Sequence, residues 1–265
     1  MPIQLKPTFR DTLTERVLSD DGRPLAGMWV NSGSPLVAEI CAGSGLDVLF
    51  VDMEHGPNGI ERVLPQLQAI AGYPPGVVVR LPGLLAVMIK QVLDLGAQNL
   101  LIPMIDTAEQ ARAAVRAVRY PPRGIRGIGS ALARSGRWGR VENYLADGDD
   151  HVSLMVQVES TEGVRNAAEI AAVDGVDGVL VGPSDLAASM GLIGQQTHPD
   201  VTGAVLRTVE AVRGVGKAVG VNAFDPALAD HYMSAGAHFV LVGADVVLLA
   251  RGSEALAERF APTTG

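Results

Sequence analysis

Residues 154–186 decide the fold, because they contain two short apolar runs that each end in a carboxylate: Leu154-Met-Val-Gln-Val-Glu159 and Gly178-Val-Leu-Val-Gly-Pro-Ser-Asp185. Short β-branched and aliphatic runs bounded by Gly, Ser or Asp are typical of fully buried parallel strands. A charge at the end of such a strand needs a partner, and ligands bind at the carboxyl ends of parallel strands. Glu159 and Asp185 are therefore expected to converge on one site.

These two acids have two interpretations. Two oxygen ligands without a Cys or His cluster suit Mg²⁺ or Mn²⁺, with coordination positions left for substrate and water. In the alternative, Asp185 and Ser184 cap a helix that starts at Leu186, and Glu159 closes its strand by chance. Spacing alone does not separate the two interpretations.

Composition excludes several classes of protein. The 265 residues are 48% hydrophobic, which is enough for one α/β barrel of roughly 250 residues. The net charge of -8 disfavours nucleic acid or an anionic membrane as the main partner. The single cysteine, Cys41, excludes an intrachain disulfide and a Cys-based zinc site. No apolar run reaches the ~18 residues of a membrane span and residues 1–10 lack a signal-peptide core, so a cytoplasmic protein is expected.

An apolar strand, a polar loop and an amphipathic helix alternate along the chain. Strands are predicted at residues 26–30, 48–52, 77–80, 99–104, 154–158, 178–182, 218–222 and 239–243. Helices are predicted at residues 8–19, 60–71, 84–95, 107–118, 163–172, 201–212, 226–234 and 246–259. Eight β/α units without a break in composition predict a single domain over residues 1–265, a (β/α)8 TIM barrel preceded by an N-terminal helix. A doubly wound sheet is the alternative, but its glycine fingerprint does not follow the first strand.

Residues 119–150 interrupt this spacing with a long irregular segment that is rich in arginine. A loop of this length inside a compact domain is usually functional or an interface. Its arginines could bind an anionic substrate or a neighbouring subunit. It lacks the Gly-Lys-Ser/Thr of a phosphate-binding loop, so a lid or an interface is predicted.

If the fold is a barrel, the residues after the strand ends form the catalytic mouth. His55 is the one histidine in such a position, and it lies beside acids, as a general acid or base would. The alternative is that His55 belongs to a turn made by Gly56 and Pro57.

Arg80 ends a buried strand with a permanent charge and needs an anion, which is either a structural carboxylate such as Glu54 or a substrate oxygen. None of the three lysines ends a strand, so a Schiff-base mechanism is disfavoured. Carbon-acid chemistry at this mouth would then require a metal as the electron sink.

Several motifs together resemble the HpcH/HpaI family of class II pyruvate aldolases, over about residues 27–260. They are Phe50-Val-Asp-Met-Glu-His-Gly-Pro-Asn58, Val79-Arg-Leu-Pro82, Ile89-Lys-Gln-Val-Leu-Asp-Leu-Gly-Ala-Gln98, Leu101-Ile-Pro-Met104, Arg119-Tyr-Pro-Pro122, Arg126-Gly-Ile-Gly-Ser-Ala-Leu-Ala133 and Val181-Gly-Pro-Ser-Asp-Leu186. The resemblance implies a metal-dependent aldolase that reversibly cleaves 4-hydroxy-2-oxo acids, through a metal-stabilised enolate, to an aldehyde and pyruvate or a related 2-oxo acid. It also implies Mg²⁺, Mn²⁺ or Co²⁺ as cofactor.

The resemblance assigns roles to individual residues. Glu159 and Asp185 match the metal carboxylates, with Gln157 beside the metal. The remaining matches are Arg80 at the 2-oxo oxygen, His55 as base with Asp94 as its acid partner, Asp52 in support, and Gly182 and Ser184 at the substrate carboxylate. Trp29 and Asn222 are also predicted to contact the substrate. From sequence alone, Asp94 is instead a helix-surface partner of Lys90.

Asn222 departs from the family pattern, in which an aliphatic residue, typically Leu, follows the seventh strand. An amide there predicts a more polar partner, such as hydroxypyruvate or a sugar-derived aldehyde; the alternative is that Asn222 caps a loop. The resemblance further implies a homo-hexamer, a trimer of dimers, that exchanges the C-terminal helix. Two other functions stay open: a CoA-thioester lyase of the citrate-lyase-β type, and a barrel that binds 2-oxo acids without catalysis.

Overall fold

A computed structural model of the chain describes residues 3–18 and 22–261. Eight parallel strands close into a barrel in chain order, each paired with its sequence neighbours and the first with the last. The strands are β1 (Leu25–Val30), β2 (Val48–Asp52), β3 (Gly76–Arg80), β4 (Asn99–Ile102), β5 (Ser153–Val158), β6 (Gly178–Val181), β7 (Ala218–Asn222) and β8 (Phe239–Ala244). The predicted (β/α)8 barrel is confirmed.

Helices surround the barrel. They are α1 (Phe9–Arg16), α2 (Pro35–Ala42), α3 (Ile60–Ile70), α4 (Ala86–Asp94), α5 (Ala108–Val118), α6 (Thr161–Arg165), α7 (Ala167–Ala171), α8 (Pro183–Ser189), α9 (Pro199–Gly214), α10 (Pro226–Ser234) and α11 (Asp245–Phe260). The sequence did not predict α2, and the helix expected at Leu186 begins at Pro183 instead. The helix predicted over 163–172 is divided at Asn166 into α6 and α7. No described helix is long and apolar enough to span a bilayer.

Helix α1 closes the amino end of the barrel. Thr8 and Asp11 cap each other's backbone in a capping box at its start. The ring of Phe9 then packs edge-on against Phe50 of β2 and Phe239 of β8, with centroids 6.3 and 5.4 Å away. Gly220 of β7 makes room for this column, because a Cβ at that position would lie 2.2 Å from the Phe239 ring. The amino-terminal half of the barrel interior is therefore filled by side chains.

Strand register brings the polar strand ends together at the opposite, carboxyl end. Asp52 of β2 lies directly beside Arg80 of β3, and Gln157 of β5 lies beside Leu180 of β6. The strand faces that point outward pack under the helices as a continuous apolar layer. Barrel closure therefore collects the residues of distant sequence segments around one mouth.

Residues 119–150 form turns without a helix or strand, as expected for the long irregular segment. Tyr120, Val141 and Tyr144 form a small apolar cluster of their own. Arg119 and Arg123 both pair with Asp149, at 3.4 and 3.0 Å. These contacts within the segment hold it in place near the amino end of the barrel.

Candidate active site

One cavity at the carboxyl ends of the strands contains most of the predicted site residues. Its volume is about 460 Å³. It is lined by Trp29, Asn31, Asp52, His55, Arg80, Gln157, Gly182, Ser184, Asp185, Asn222 and Phe224, among others. A larger depression, of about 620 Å³, lies at the amino end of the barrel and includes none of these side chains. The chemistry-bearing residues therefore converge at the mouth that the strand order predicts.

Arg80 is clamped by two carboxylates. Its Nε and Nη2 donate to Asp52 at 2.8 and 2.7 Å, and its Nη1 lies 3.0 Å from Glu54 Oε2. Burial alone would raise the pKa of Asp52, but the hydrogen bonds and charge of Arg80 hold it below its ordinary value. The guanidinium also lies 4.0 Å from the centroid of the Trp29 ring. Asp52 takes only two of its five N–H donors, and Arg80 lines the cavity, so donors remain for a ligand.

Glu159 is a buried carboxylate without a cation partner among the described residues. It is 2% exposed and accepts hydrogen bonds from the backbone N–H of Met104 and from Gln157 Nε2. Burial raises its pKa to about 7, and the charges of Glu54 and Asp185 act in the same direction. An ionised carboxylate in this place is unfavourable unless a cation compensates it.

The surroundings of Glu159 fit a divalent cation. The buried Oε1 of Gln157 has no hydrogen-bond partner, and Asp185 adds a second carboxylate at the start of α8. Gly182, which lines the cavity, packs directly against Glu159, because a Cβ there would lie 2.6 Å from Glu159 Oε2. Among the described residues no three His, Cys, Asp or Glu side chains cluster as a complete cage. Two carboxylates and an amide oxygen match the open, oxygen-rich sites of Mg²⁺ and Mn²⁺.

His55 lies on the loop after β2 with an exposed ring, at 63% of its side-chain surface. The loop is fixed by Asp52, whose Oδ1 accepts hydrogen bonds from the backbone of Glu54 and His55. The His55 Nε2 atom lies 3.8 Å from Glu54 Oε2. Burial raises the pKa of Glu54, against the opposing charge of Arg80. His55 is thus an accessible imidazole beside a carboxylate, as a general acid or base requires.

The cavity is also lined by the side-chain amide of Asn222 and by the first residues of helix α8. Trp29 Nε1 donates to Asn222 Oδ1 at 2.8 Å, so Asn222 is not a loop cap. At α8 the N–H of Gly182 is already bonded to Val158, and Pro183 has none. The donors open to an anion at this helix start are therefore those of Ser184 and its neighbour Asp185.

Asp94 is the one predicted site residue that lies apart from the others. It ends α4, close to the start of β4, so it stands at the amino end of the barrel. Its carboxylate lies 3.5 Å from Arg126 Nη2, and no ion pair with Lys90 forms. The expected pairing of Asp94 with His55 is not made within one chain, because α4 carries the acid away from the mouth. No residue of the segment 119–150 lines the cavity either, so that segment is no lid over its own site.

Sequence reasoning also missed residues that the cavity uses. The sequence predicts Glu54 only as a partner for Arg80, although its position next to His55 in the sequence also indicates a contact between these two side chains. Asn31 donates from Nδ2 to Asp52 Oδ2 at 2.6 Å and so helps to orient the Arg80 clamp. No residue pattern marks Asn31, because its role depends on the closure of β1 against β2.

Comparisons with known proteins agree with this geometry. The sequence model described as HpcH/HpaI aldolase/citrate lyase matches residues 25–252. The chain is 50% identical over 256 residues to the 4-hydroxy-2-oxo-heptane-1,7-dioate aldolase of Salmonella heidelberg (strain SL476), covering 97% of this chain and 95% of that protein. It is 51% identical over 262 residues to the hydroxypyruvate/pyruvate aldolase of Deinococcus radiodurans, with 98% and 92% covered. The crystal structure of an HpcH/HpaI family protein from Burkholderia cenocepacia J2315 superposes with a TM-score of 0.88 at 41% identity, with 92% and 97% covered.

Proposed function

The chain belongs to the HpcH/HpaI aldolase/citrate lyase family, and we infer from this premise that it is a carbon–carbon lyase, a class II aldolase that cleaves 4-hydroxy-2-oxo acids to pyruvate or a related 2-oxo acid and an aldehyde. Members of this family generally depend on a divalent metal ion. The observation that carries the proposal for this chain is the buried Glu159, which no cationic side chain of the described residues pairs with, beside a cavity that contains Arg80 and His55.

The proposal assigns the metal, Mg²⁺, Mn²⁺ or Co²⁺, to Glu159 and Asp185, with Gln157 Oε1 as a neighbouring oxygen donor. When bound, such a cation supplies a Lewis acid that polarises the 2-oxo group of the substrate. Ser184 and the backbone beside Gly182 receive the substrate carboxylate, since unbonded N–H groups at a helix start favour anions.

His55 and Arg80 then handle the proton of the 4-hydroxyl group and the negative charge that develops on the 2-oxo oxygen. In the cleavage direction His55 accepts the proton of the 4-hydroxyl as the C3–C4 bond breaks, and the aldehyde leaves. The electron pair of that bond passes to the 2-oxo acid fragment, where Arg80 stabilises the oxygen on which negative charge develops. Asp52 keeps Arg80 in place through its two hydrogen bonds. Return of the proton to C3 releases pyruvate.

Asp94 enters this scheme only through another copy of the chain. Within one chain it stands at the amino end of the barrel, so a contact with His55 would have to be made between subunits. Glu54 is the carboxylate that each chain supplies beside its own His55.

The proposal includes a homo-hexamer of single-domain chains in the cytoplasm, a trimer of dimers that exchange α11. The support for exchange is the exposed apolar face of α11: among its sixteen residues Asp245 is the buried one, while Leu248, Leu249, Leu256 and Phe260 are exposed. The support for one domain is the single closed barrel.

The test is pyruvate release from a racemic 4-hydroxy-2-oxo acid by EDTA-stripped protein, with and without Mg²⁺, Mn²⁺ or Co²⁺. We expect release only with metal, and Glu159→Gln should reduce it at least about a hundredfold, because the buried ligand loses its charge. Glu162→Gln, an exposed carboxylate in α6, is the matched control and should retain full turnover. Equal turnover of folded Glu159→Gln and wild-type protein would contradict the metal site.

A further inference from the structure

A second pocket lies at the amino end of the barrel, on the far side from the active-site cavity. Its volume is about 350 Å³. The N-terminal segment of residues 3–7 forms one wall, the end of α3 with the start of β3 forms the floor, and the turn from Gly96 to Asn99 forms the rim. Leu67, Ile70 and Val77 make the floor apolar.

The charged side chains that line this pocket are all cations: Lys6, Arg134 and Arg137. The two arginines converge over Gly96. A Cβ on Gly96 would lie 2.7 Å from Arg134 Nη1 and 2.9 Å from Arg137 Nη1, so both guanidinium groups approach one point. Gly96 has a φ of +92°, which a residue with a side chain rarely adopts, and it therefore permits both the turn and the convergence.

Among the described residues Arg134 and Arg137 have no carboxylate partner, in contrast to Arg119, Arg123 and Arg126 of the same segment. Arg119 and Arg123 pair with Asp149, and Arg126 pairs with Asp94. Within the described residues the hydrogen bonds of the two go to carbonyls: Arg134 Nη1 donates to Leu95 at 2.9 Å, and Arg137 Nη1 donates to Arg134 at 2.7 Å.

Each guanidinium has five N–H donors, so most of the donors at this point remain free. Both side chains are partly buried, and burial lowers the pKa of each. Two neighbouring like charges in a partly buried place are unfavourable without a counter-charge. An anion at the point of convergence would supply it.

We propose that this pocket binds a small organic anion, whose carboxylate or phosphate lies between Arg134 and Arg137 and whose apolar body lies on the floor formed by Leu67, Ile70 and Val77. The planar guanidinium fork matches either oxyanion. Lys6 adds a cation from the N-terminal wall, although it also borders the neighbouring depression that contains Asp11, Glu15 and Glu142. The ligand joins the N-terminal segment to the segment 119–150, and so it stabilises the amino end of the barrel without contacting the active site.

Trp138 provides the measurement, because it follows Arg137 directly and the chain has only one other tryptophan, Trp29. In a Trp29→Phe background the indole of Trp138 is the single fluorophore of its kind. This protein is titrated with inorganic phosphate and separately with butanoate, against NaCl at constant ionic strength. We expect a saturable change with at least one of the two, and the pair of titrations shows whether the oxyanion alone suffices or an apolar body is required.

The double variant Arg134→Gln/Arg137→Gln should weaken this binding at least tenfold, while Arg123→Gln, in the same segment but paired with Asp149, should leave it unchanged. Arg137→Gln alone serves if the double variant does not fold. For the turnover control the arginine variants are made in the chain that retains Trp29, and aldolase turnover without ligand is expected to stay within twofold of the wild type, so this test is independent of the proposed activity. A response that is not saturable with either probe, or equal affinity in the arginine variant, would overturn the proposal.

Discussion

Asn222 and Trp29 form a fixed pair at the mouth of the barrel. The indole N–H of Trp29 occupies the Asn222 oxygen at 2.8 Å, which leaves the amide N–H groups of Asn222 as donors at the cavity wall. A hydroxyl on the donor substrate can accept from such a group, whereas the methyl group of pyruvate cannot. The hypothesis of a polar donor substrate therefore names Asn222 Nδ2 as the atom that would donate to the hydroxyl of that substrate.

Replacement of Asn222 by Leu is expected to reduce the preference for hydroxypyruvate over pyruvate about fivefold, since a hydrogen bond between neutral groups contributes about 1 kcal/mol. The measurement is kcat/KM for both donors with one common aldehyde. Trp29→Phe, which frees the Asn222 oxygen, should shift the ratio in the same direction but less. An unchanged ratio in Asn222→Leu would rule out the role.

Much of the site could be predicted from single residues, because the carboxyl ends of parallel strands converge wherever a barrel closes. That argument predicts Arg80, Glu159 and Asp185 at the mouth, and Arg80 and Asp185 line the cavity. The distance of Asp94 from the mouth of its own chain could not be predicted from single residues, since it depends on the direction of α4 relative to β3. Glu54 was undervalued because burial, which raises its pKa, is a property of the folded chain.

At the scale of elements, α1 acts through one side chain. Phe9 is 1% exposed and contacts the rings of β2 and β8. We expect Phe9→Ala to lower the free energy of unfolding by about 4 kcal/mol, from the lost contacts and the cavity that remains. Urea denaturation followed by circular dichroism measures this. Ile193→Ala, at a residue 80% exposed, is the control and should change stability by less than about 0.5 kcal/mol. Similar midpoints for both variants would show that α1 is not a structural plug.

Asp47 joins three elements in front of β2. Its carboxylate accepts from Arg16 at 2.7 Å, from Arg23 at 2.7 and 3.0 Å, and from the backbone of Ala26 at 3.0 Å. Burial alone would raise the pKa of Asp47, but these hydrogen bonds hold it below its ordinary value. The folded-state pKa is thus lower than the unfolded one, and folding is stabilised by the ionised form.

The stabilisation by Asp47 should be complete above the unfolded pKa of about 4 and should be lost as the pH falls through the lower folded-state value. Asp47→Asn is expected to destabilise the protein by about 2 kcal/mol between pH 5 and 8, with a smaller difference in more acid solution. Urea midpoints across this range test it, and Asp200→Asn, at an exposed carboxylate, is the control. A difference that is constant down to pH 3 would contradict this assignment.

The bounds of some strands were predictable because a short apolar run ends in a polar side chain, as Asp52 ends β2 and Asn222 ends β7. The bounds of β2 and β7 match the structure to the residue. Helix α2 was missed because its eight residues are mostly apolar and show no polar face. Helix α8 was misplaced because Gly182-Pro183 suggests a turn, although proline is well tolerated in the first turn of a helix.

At the scale of the whole molecule, α11 presents an apolar face without an intrachain partner among the described residues. If that face is exchanged between subunits, Leu249→Glu should reduce the mass measured by light scattering from a hexamer to a smaller species, because a charge cannot be buried in an apolar interface. Ile193→Glu, at another exposed apolar residue, should leave the mass unchanged. A hexamer that persists in Leu249→Glu would exclude α11 from the interface.

The packed rings of Phe9, Phe50 and Phe239 determine how substrate and products enter and leave the barrel. Since Phe9, Phe50 and Phe239 fill the amino-terminal half of the barrel, the cavity does not continue through the barrel to its other end. Both fragments of a cleaved substrate must leave by the route through which the substrate came. In the proposed reaction the 2-oxo acid binds beside Glu159, and the aldehyde then lies between it and solvent. We therefore expect ordered product release, in which the aldehyde leaves before the 2-oxo acid.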